Sequence, residues 1–231
     1  MRKRWERYRL KLFGMLLYLL CFCYIAGLSG RTETVEKELE KSEPAQEKPC
    51  IALTFDDGPS RRYTGKLLDG LKKRGIKASF FLIGKNVKEN PDLVKRIYEE
   101  GHLVGNHTYN HVQITHLSEE EAVREIEKTD QEISRITGEH VMYMRPPFGA
   151  WQRDLEIKME VLPVLWSVDP LDWTTENVDE IVSKVVTDVK EGDIILLHDC
   201  YASSVDAALR IIDVLQEEGY EFVTVDRLLI D

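Results

Sequence analysis

Side chains capable of acid–base or metal chemistry are grouped in five short segments of the chain, each close after an apolar run. The segments contribute Asp56 and Asp57; His107 and His111; Arg145; Asp169 and Asp172; and His198 and Asp199. If the apolar runs are parallel strands, all five segments lie at the carboxyl edge of one sheet, where α/β enzymes build their active sites. Unrelated surface residues would be scattered over both edges, so this grouping predicts one polar site.

His107 and His111 are suited to bind a metal ion. Their spacing of four residues would let both imidazoles reach one ion from a single helical turn. Two unrelated surface histidines are the simpler interpretation of an isolated pair, and Thr108 stands where a zincin has its catalytic glutamate. A metal site here therefore needs a third ligand and a base from elsewhere in the chain.

Asp56 and Asp57 can supply both of these groups. Successive side chains at the end of a strand point in different directions, so one carboxylate can bind a metal ion while its neighbour holds a water molecule. The alternative is a pair of acids that caps the following helix. That alternative explains one aspartate more easily than two at a buried strand end.

The segments that must position these residues alternate between strand and helix patterns. Short apolar runs predict seven strands, at 51–55, 78–83, 102–104, 141–144, 164–168, 194–197 and 221–225. Helical spacing predicts helices around 67–71, from Asn90 and Pro91 through Ile97, from Ser118 to Gly138, and over 154–159, 178–189 and 205–218. The alternation indicates an α/β fold in which about seven parallel strands form an open sheet or a distorted barrel with the helices outside.

The N-terminal part of the chain has a different composition. Six basic residues precede an uncharged apolar run from Leu12 to Leu28, a pattern that favours a signal anchor over 1–30, with a cleaved signal peptide as the alternative. In both cases the basic flank stays inside and the rest of the chain is exported. Residues 31–49 are rich in Glu and Lys and predict a charged flexible linker, so a catalytic domain is expected over 50–231.

The net charge of −10 argues against a nucleic-acid partner, which would require a basic surface. No feature of the sequence implies a protein partner either. The expected partners are therefore a substrate and, through the N-terminal segment, a membrane.

Five motifs of the chain resemble those of the polysaccharide deacetylases of carbohydrate esterase family four, the chitooligosaccharide-deacetylase homology domain. In order they are TFDDGP at 54–59, HTYNH at 107–111, RPPFG at 145–149, DPLDW at 169–173 and LLHD at 196–199. The resemblance covers most of the exported part and implies a distorted (β/α) barrel. It also implies a role for each matching residue.

By this resemblance the metal ligands are Asp57, His107 and His111. They suit a zinc ion, although cobalt or another divalent ion could serve. Asp56 would be the general base, and His198 would be the general acid that protonates the leaving amine. Asp172 would orient His198 and favour its charged form.

The remaining matches concern the substrate and the base. Arg145 would hold the Asp56 carboxylate in place, and the backbone N–H of Phe148 would help to stabilise the oxyanion. Trp173 and Leu196 would line the pocket around the acetyl methyl group. Core packing is the alternative for both residues: it explains Leu196 nearly as well, whereas Trp173 fits a wall that stacks on a sugar better.

The expected function is a membrane-tethered, metal-dependent hydrolase that removes N-acetyl groups from a bacterial cell-envelope glycan, with peptidoglycan N-acetylglucosamine as the favoured substrate. Chitooligosaccharide or acetylated xylan would use the same chemistry. A non-catalytic glycan-binding module is the alternative from a different class. A metallophosphatase is disfavoured because the sequence offers no second set of ligands for a two-metal site.

Overall fold

The structure is a computed structural model that describes residues 48–151 and 161–230. These residues belong to a compact unit that begins at Lys48. The expected membrane segment and most of the expected linker lie outside the described residues, and so does the helix expected over 154–159. Within the described ranges, no helix is long and apolar enough to cross a membrane.

In the described part of the chain, seven parallel strands form one sheet. They are β1 (Cys50–Asp56), β2 (Ser79–Leu82), β3 (Leu103–Asn106), β4 (Tyr143–Met144), β5 (Leu162–Pro163), β6 (Ile194–His198) and β7 (Glu221–Val223). Their order is β5-β4-β3-β2-β1-β6, and β7 pairs with the first residues of β1. The central strand β1 is buried from Ile51 to Asp56, as expected for a parallel sheet covered on both faces.

Seven helices accompany the strands within the described residues. They are α1 (Thr64–Arg74), α2 (Gly84–Glu89), α3 (Pro91–Glu99), α4 (Glu119–Thr137), α5 (Val178–Asp188), α6 (Ala202–Glu217) and α7 (Val225–Ile230). The main core lies between the sheet and the apolar faces of these helices, where Leu67, Leu68 and Leu71 of α1 are fully buried. The predicted parallel α/β fold is therefore confirmed.

The helix predicted from Ser118 to Gly138 is confirmed in detail. Ser118 and Glu121 form a capping box at the start of α4, in which each side chain bonds to the backbone of the other residue. Gly138 ends the helix in the left-handed conformation that glycine adopts without strain. Pro91 likewise occupies the first turn of α3, where its missing N–H costs nothing.

The strand predicted over 164–168 is wrong. The strand at this point is Leu162–Pro163, and Val168 forms only an isolated bridge with Ile195 of β6. The carbonyl oxygens of Val164 and Leu165 accept hydrogen bonds from the buried Arg145 guanidinium. A side chain thus occupies acceptors that a neighbouring strand would otherwise use. The sheet is a curled half-barrel, in which this segment bonds to β4 through the N–H of Val164 and to β6 through the N–H of Val168.

Candidate metal centre and active site

The fold brings the chemically capable residues to one edge of the sheet. Asp56 ends β1 and is in register with His198, which ends β6. His107 follows β3, and Arg145 follows β4, the neighbouring strand. Asp172 begins a short 3-10 turn that contacts β6. The predicted clustering at the carboxyl edge of the strands is present in the structure.

Asp57, His107 and His111 lie close enough to share one ion. Their ligand atoms are all within 4.8 Å of one another. Asp57 Oδ1 lies 3.4 Å from His107 Nε2 and 3.3 Å from His111 Nε2. This oxygen is buried and has no hydrogen-bond partner among the described residues. Burial raises the pKa of Asp57, but the imidazoles of His107, His111 and His198 together outweigh burial and lower it overall.

The protonation of His107 is also suited to a metal ligand. Its Nδ1 lies 2.6 Å from the carbonyl oxygen of Arg145. Because a carbonyl only accepts, Nδ1 carries a hydrogen, and Nε2 is the ring nitrogen left available to a metal ion. A backbone carbonyl on the second ring nitrogen is the usual support of a metal-binding histidine. The three residues therefore fit a divalent cation.

The two histidines are not on a helical turn, and that part of the sequence interpretation is wrong. The segment is a loop in which Thr108 and His111 have φ values of 59° and 56°. The side chain of Asn106 accepts from the backbone N–H of Thr108, and the hydroxyl of Thr108 accepts from the N–H of Val112. Such side-chain bonds to nearby backbone compete with helix formation.

Backbone strain is concentrated at this site. In the described part of the chain, the non-glycine residues with positive φ are Asp57, Thr108, His111, Phe148 and Leu171. All of them belong to the first four sequence motifs. A non-glycine residue in this region costs on the order of 1–3 kcal/mol and persists only where its surroundings enforce it. The surrounding fold must therefore hold these loops in place.

Arg145 fixes the carboxylate of Asp56. The arginine is fully buried, and its Nη1 donates to Asp56 Oδ1 at 2.8 Å and to Thr54 Oγ1 at 2.7 Å. Burial lowers the pKa of Arg145, and the Asp56 carboxylate opposes that effect. Asp56 Oδ2 lies 3.8 Å from His107 Nε2, on the side of the metal ligands. One carboxylate oxygen is thus anchored while the other faces the site.

His198 is paired with Asp172. Its Nδ1 lies 2.8 Å from Asp172 Oδ1, and its backbone N–H donates to Asp172 Oδ2 at 2.9 Å. Burial by itself would lower the pKa of His198, but the carboxylate of Asp172 raises it to about 9. His198 is therefore charged at neutral pH, and with Nδ1 bound to Asp172, Nε2 is its available proton donor.

A cavity of about 440 Å³ joins these groups. It is lined by Asp56, Asp57, His107, His111, His198 and the predicted substrate residues Phe148, Trp173 and Leu196. Phe148 and Trp173 are more than half exposed, whereas Leu196 is buried. Trp166, Leu171 and Tyr201 also line the cavity and were missed by the sequence interpretation. Leu171 lies inside the fourth motif and Tyr201 lies two residues after the fifth, so their positions could have indicated them, whereas Trp166 gives no such signal.

Asp169 and Asp199 support the loops of the site. Asp169 accepts a hydrogen bond from the backbone N–H of Leu171 and so stabilises its positive φ. The buried Asp199 accepts from the hydroxyl of Thr64, and burial raises its pKa to about 7. A Cβ at Gly58 would lie 2.5 Å from Asp199 Oδ1, so this close approach requires glycine.

Comparison with known proteins relates this site to a family. Residues 43–163 match the polysaccharide deacetylase family. The chain is 42% identical to the peptidoglycan-N-acetylmuramic acid deacetylase PdaC of Bacillus subtilis over 178 residues, and these residues make up 77% of this chain. The chain spans only 38% of the length of that relative. It is 39% identical to a peptidoglycan-N-acetylglucosamine deacetylase of Bacillus cereus, over 84% of this chain and 97% of that protein.

Solved structures show the same architecture. The structure of PdaC from Bacillus subtilis superposes with a TM-score of 0.76 at 41% identity, over 79% of this chain and 90% of that chain. A CE4 family pseudoenzyme from Bacillus anthracis superposes with a TM-score of 0.74 at 31% identity, over 79% of this chain and 66% of that chain. The same fold therefore occurs in a protein described as a deacetylase and in one described as a pseudoenzyme.

Proposed function

Because the chain belongs to the polysaccharide deacetylase family, we propose that it is a metal-dependent hydrolase that removes N-acetyl groups from a cell-wall glycan. N-Acetylglucosamine of peptidoglycan is the favoured substrate, in line with the name of the Bacillus cereus relative. The observation that carries the proposal is the buried, unpartnered Oδ1 of Asp57 between two imidazole nitrogens. Family membership alone is insufficient, since the family includes a pseudoenzyme.

Asp57, His107 and His111 would hold the metal ion. Two nitrogens and one oxygen suit zinc, with cobalt or another divalent ion as alternatives. Three protein ligands are typical of a catalytic zinc site, whereas structural sites have four. When bound, the ion supplies Lewis acidity that makes water a stronger acid and polarises the acetyl carbonyl.

Asp56 is proposed to be the general base. Since Oδ1 is anchored by Arg145, Oδ2 is the oxygen available to accept the proton of the attacking water. The water oxygen forms its bond to the acetyl carbonyl carbon as the proton moves to this carboxylate. The backbone N–H of Phe148 is proposed to stabilise the negative charge that develops on the carbonyl oxygen.

His198 is proposed to be the general acid. Its charged imidazole donates the Nε2 proton to the nitrogen of the substrate, so that the C–N bond breaks with a neutral amine as the leaving group. Acetate is released and the amino group stays on the sugar. Asp172 keeps the imidazole both oriented and protonated for this step.

The walls of the cavity suit a sugar ring. The exposed aromatic faces of Phe148, Trp173 and Tyr201 can pack against the C–H groups of a pyranose. Leu196 is buried at the inner surface, where it can contact the acetyl methyl group. We place the enzyme outside the bacterial membrane because of the basic flank and apolar run in its sequence.

The experiment that tests this function compares the zinc-loaded chain with its Asp56→Asn variant. Both are incubated with peptidoglycan fragments and, separately, with chitin oligomers, and mass spectrometry detects the loss of single acetyl groups. Asp188→Asn, a change at an exposed aspartate that ends α5 and belongs to none of the motifs, is the matched control. We expect Asp56→Asn to lose at least about 100-fold in rate, while the control keeps its activity.

Each outcome of that experiment has a definite meaning. Loss of acetyl groups from the wall fragments supports the proposal, and the product ions identify whether glucosamine or muramic acid has been deacetylated. Loss from chitin oligomers alone keeps the mechanism and changes the substrate. No loss from either, despite bound metal, overturns the proposal in favour of acetylated xylan or of a binding module.

A further inference from the structure

The loop between His107 and His111 is held between two helices. On one side, the first backbone N–H groups of α2 donate to it: Gly84 to the carbonyl of Thr108 at 3.0 Å, and Lys85 to the carbonyl of Tyr109 at 3.1 Å. These bonds satisfy carbonyl oxygens of the loop. The N–H groups of the same loop face the other side, where α4 passes.

A single carboxylate of α4 receives those N–H groups. Glu125 Oε2 accepts from the backbone N–H of Tyr109 at 3.0 Å and from that of Asn110 at 2.8 Å. Its Oε1 accepts from Asn110 Nδ2 at 2.7 Å. In the described part of the chain, no basic side chain forms an ion pair with Glu125, so its oxygens serve this loop alone.

The backbone that carries Glu125 is firmly anchored. Ala122 and Ile126, which flank it on α4, are fully buried in a cluster with Met144 of β4. The side chain of Asn106, at the end of β3, donates to the carbonyl of Ile126 at 2.8 Å. Glu125 thus connects the loop to a helix that is itself fixed to two strands of the sheet.

The loop requires such support because its backbone is strained. Thr108 and His111 both have positive φ, a conformation that neither residue type favours in isolation. We propose that Glu125 is a positioning residue, which holds Tyr109 and Asn110 so that His111 Nε2 stays beside Asp57. This inference rests on the proposed metal site, since its consequence is metal affinity.

The test measures zinc affinity of the full chain by competition with a chromophoric chelator, together with the visible spectrum of the cobalt-loaded protein. Glu125→Ala removes all three bonds, and we expect zinc affinity to fall by at least about tenfold, the usual effect of losing support for a metal ligand. Glu125→Gln is the conservative variant. Its single oxygen can still accept both backbone N–H groups, and the Asn110 amide can rotate to accept from the new amide.

Glu127→Ala is the matched control, because Glu127 lies two residues further along α4 and forms no bond to the loop among the described residues. The inference is supported if Glu125→Ala weakens zinc binding and alters the cobalt spectrum, while Glu125→Gln and Glu127→Ala stay close to the parent. It is overturned if Glu125→Ala binds zinc as tightly as the parent, if the control is weakened equally, or if Glu125→Gln is as weak as Glu125→Ala. A parent chain that takes up no zinc would instead overturn the metal site itself, and the inference with it.

Discussion

Arg145 shows how much of this site depends on the chemistry of one residue. Its guanidinium donates to two side chains, Thr54 and Asp56, and to the carbonyls of Val164 and Leu165. Only a planar group with five N–H donors can satisfy acceptors spread in this way. The same side chain therefore orients the proposed base and holds the segment that follows β5.

Arg145→Lys is expected to damage stability and activity together. An ammonium group cannot reach all four acceptors, so buried carbonyls and part of the Asp56 carboxylate lose their partner. We expect the free energy of unfolding, measured by urea denaturation, to fall by about 3 kcal/mol. Deacetylation should fall as well. The matched control is Arg210→Lys, whose salt bridge to Asp179 is exposed and should contribute less than about 1 kcal/mol. Equal effects of the two changes would contradict this account of Arg145.

Asp172→Asn is expected to change the pH dependence of the reaction. The general acid must be protonated, so activity is lost as pH rises through the pKa of His198, which Asp172 raises to about 9. Without this carboxylate, burial lowers the pKa of His198, and only the more distant charges of Asp56 and Asp57 oppose burial. The alkaline limb of kcat/KM should therefore move to lower pH. An alkaline limb that stays in place would exclude His198 as the acid.

At the scale of elements, strands β2 and β3 are joined by a histidine that has no part in the proposed chemistry. His102 immediately precedes β3, is 5% exposed, and accepts a hydrogen bond at Nδ1 from the backbone N–H of Ala78. Burial, reinforced by nearby Lys77, lowers the pKa of His102 to about 4. Because protonation would remove the acceptor, the folded state binds this proton less readily than the unfolded state does.

His102→Gln is expected to flatten the acid dependence of stability. In the parent chain this histidine leaves stability unaffected above pH 6.5 and destabilises the fold progressively as pH falls towards 4. The total effect is about 3 kcal/mol. Denaturation curves at pH 7, 5 and 4 measure it, with the exposed His116 changed to Gln as the control. If the parent and His102→Gln lose the same free energy of unfolding between pH 7 and pH 4, groups other than His102 cause that loss.

The elements that the sequence predicted well are those with strong local signals. The capping box of α4, Pro91 in α3 and the continuous apolar run of β1 are recognisable without any knowledge of the fold. The error at 164–168 has a non-local cause, because the acceptors of that segment are taken by a side chain from another part of the chain.

The prediction of the site likewise succeeded where the signal is local and failed where the cause is a contact from another part of the chain. Motif residues predicted which groups converge, whereas the loop conformation of His107–His111 depends on contacts from α2 and α4 that no spacing rule contains. Trp166 and Tyr201 line the cavity although neither belongs to a motif.

For the molecule as a whole, the described unit begins at Lys48, and the expected anchor precedes it. The interior site depends on contacts within that unit, so its chemistry should not need the first 47 residues. The N-terminal segment should instead determine where the enzyme works.

A chain that begins at Lys48 is expected to keep the melting temperature of the catalytic domain and its activity on soluble oligomers. The full chain should sediment with bacterial membranes, and the shortened chain should stay in the supernatant. Fractionation followed by an activity assay measures both. Loss of activity on soluble oligomers in the shortened chain would show that the segment contributes to the site, and a full chain in the supernatant would favour cleavage of a signal peptide.

The five left-handed residues of the motifs also have an evolutionary consequence. Each stores free energy that glycine would release, so thermodynamic selection and catalytic selection act on these positions in opposite directions. A descendant protein that is no longer selected for catalysis would gain stability from a substitution to glycine at one of these positions, before any change in its core. In sequences of this fold, glycine at the position of Asp57 or His111, whose side chains are the proposed metal ligands, would then mark a lineage in which the reaction has been abandoned.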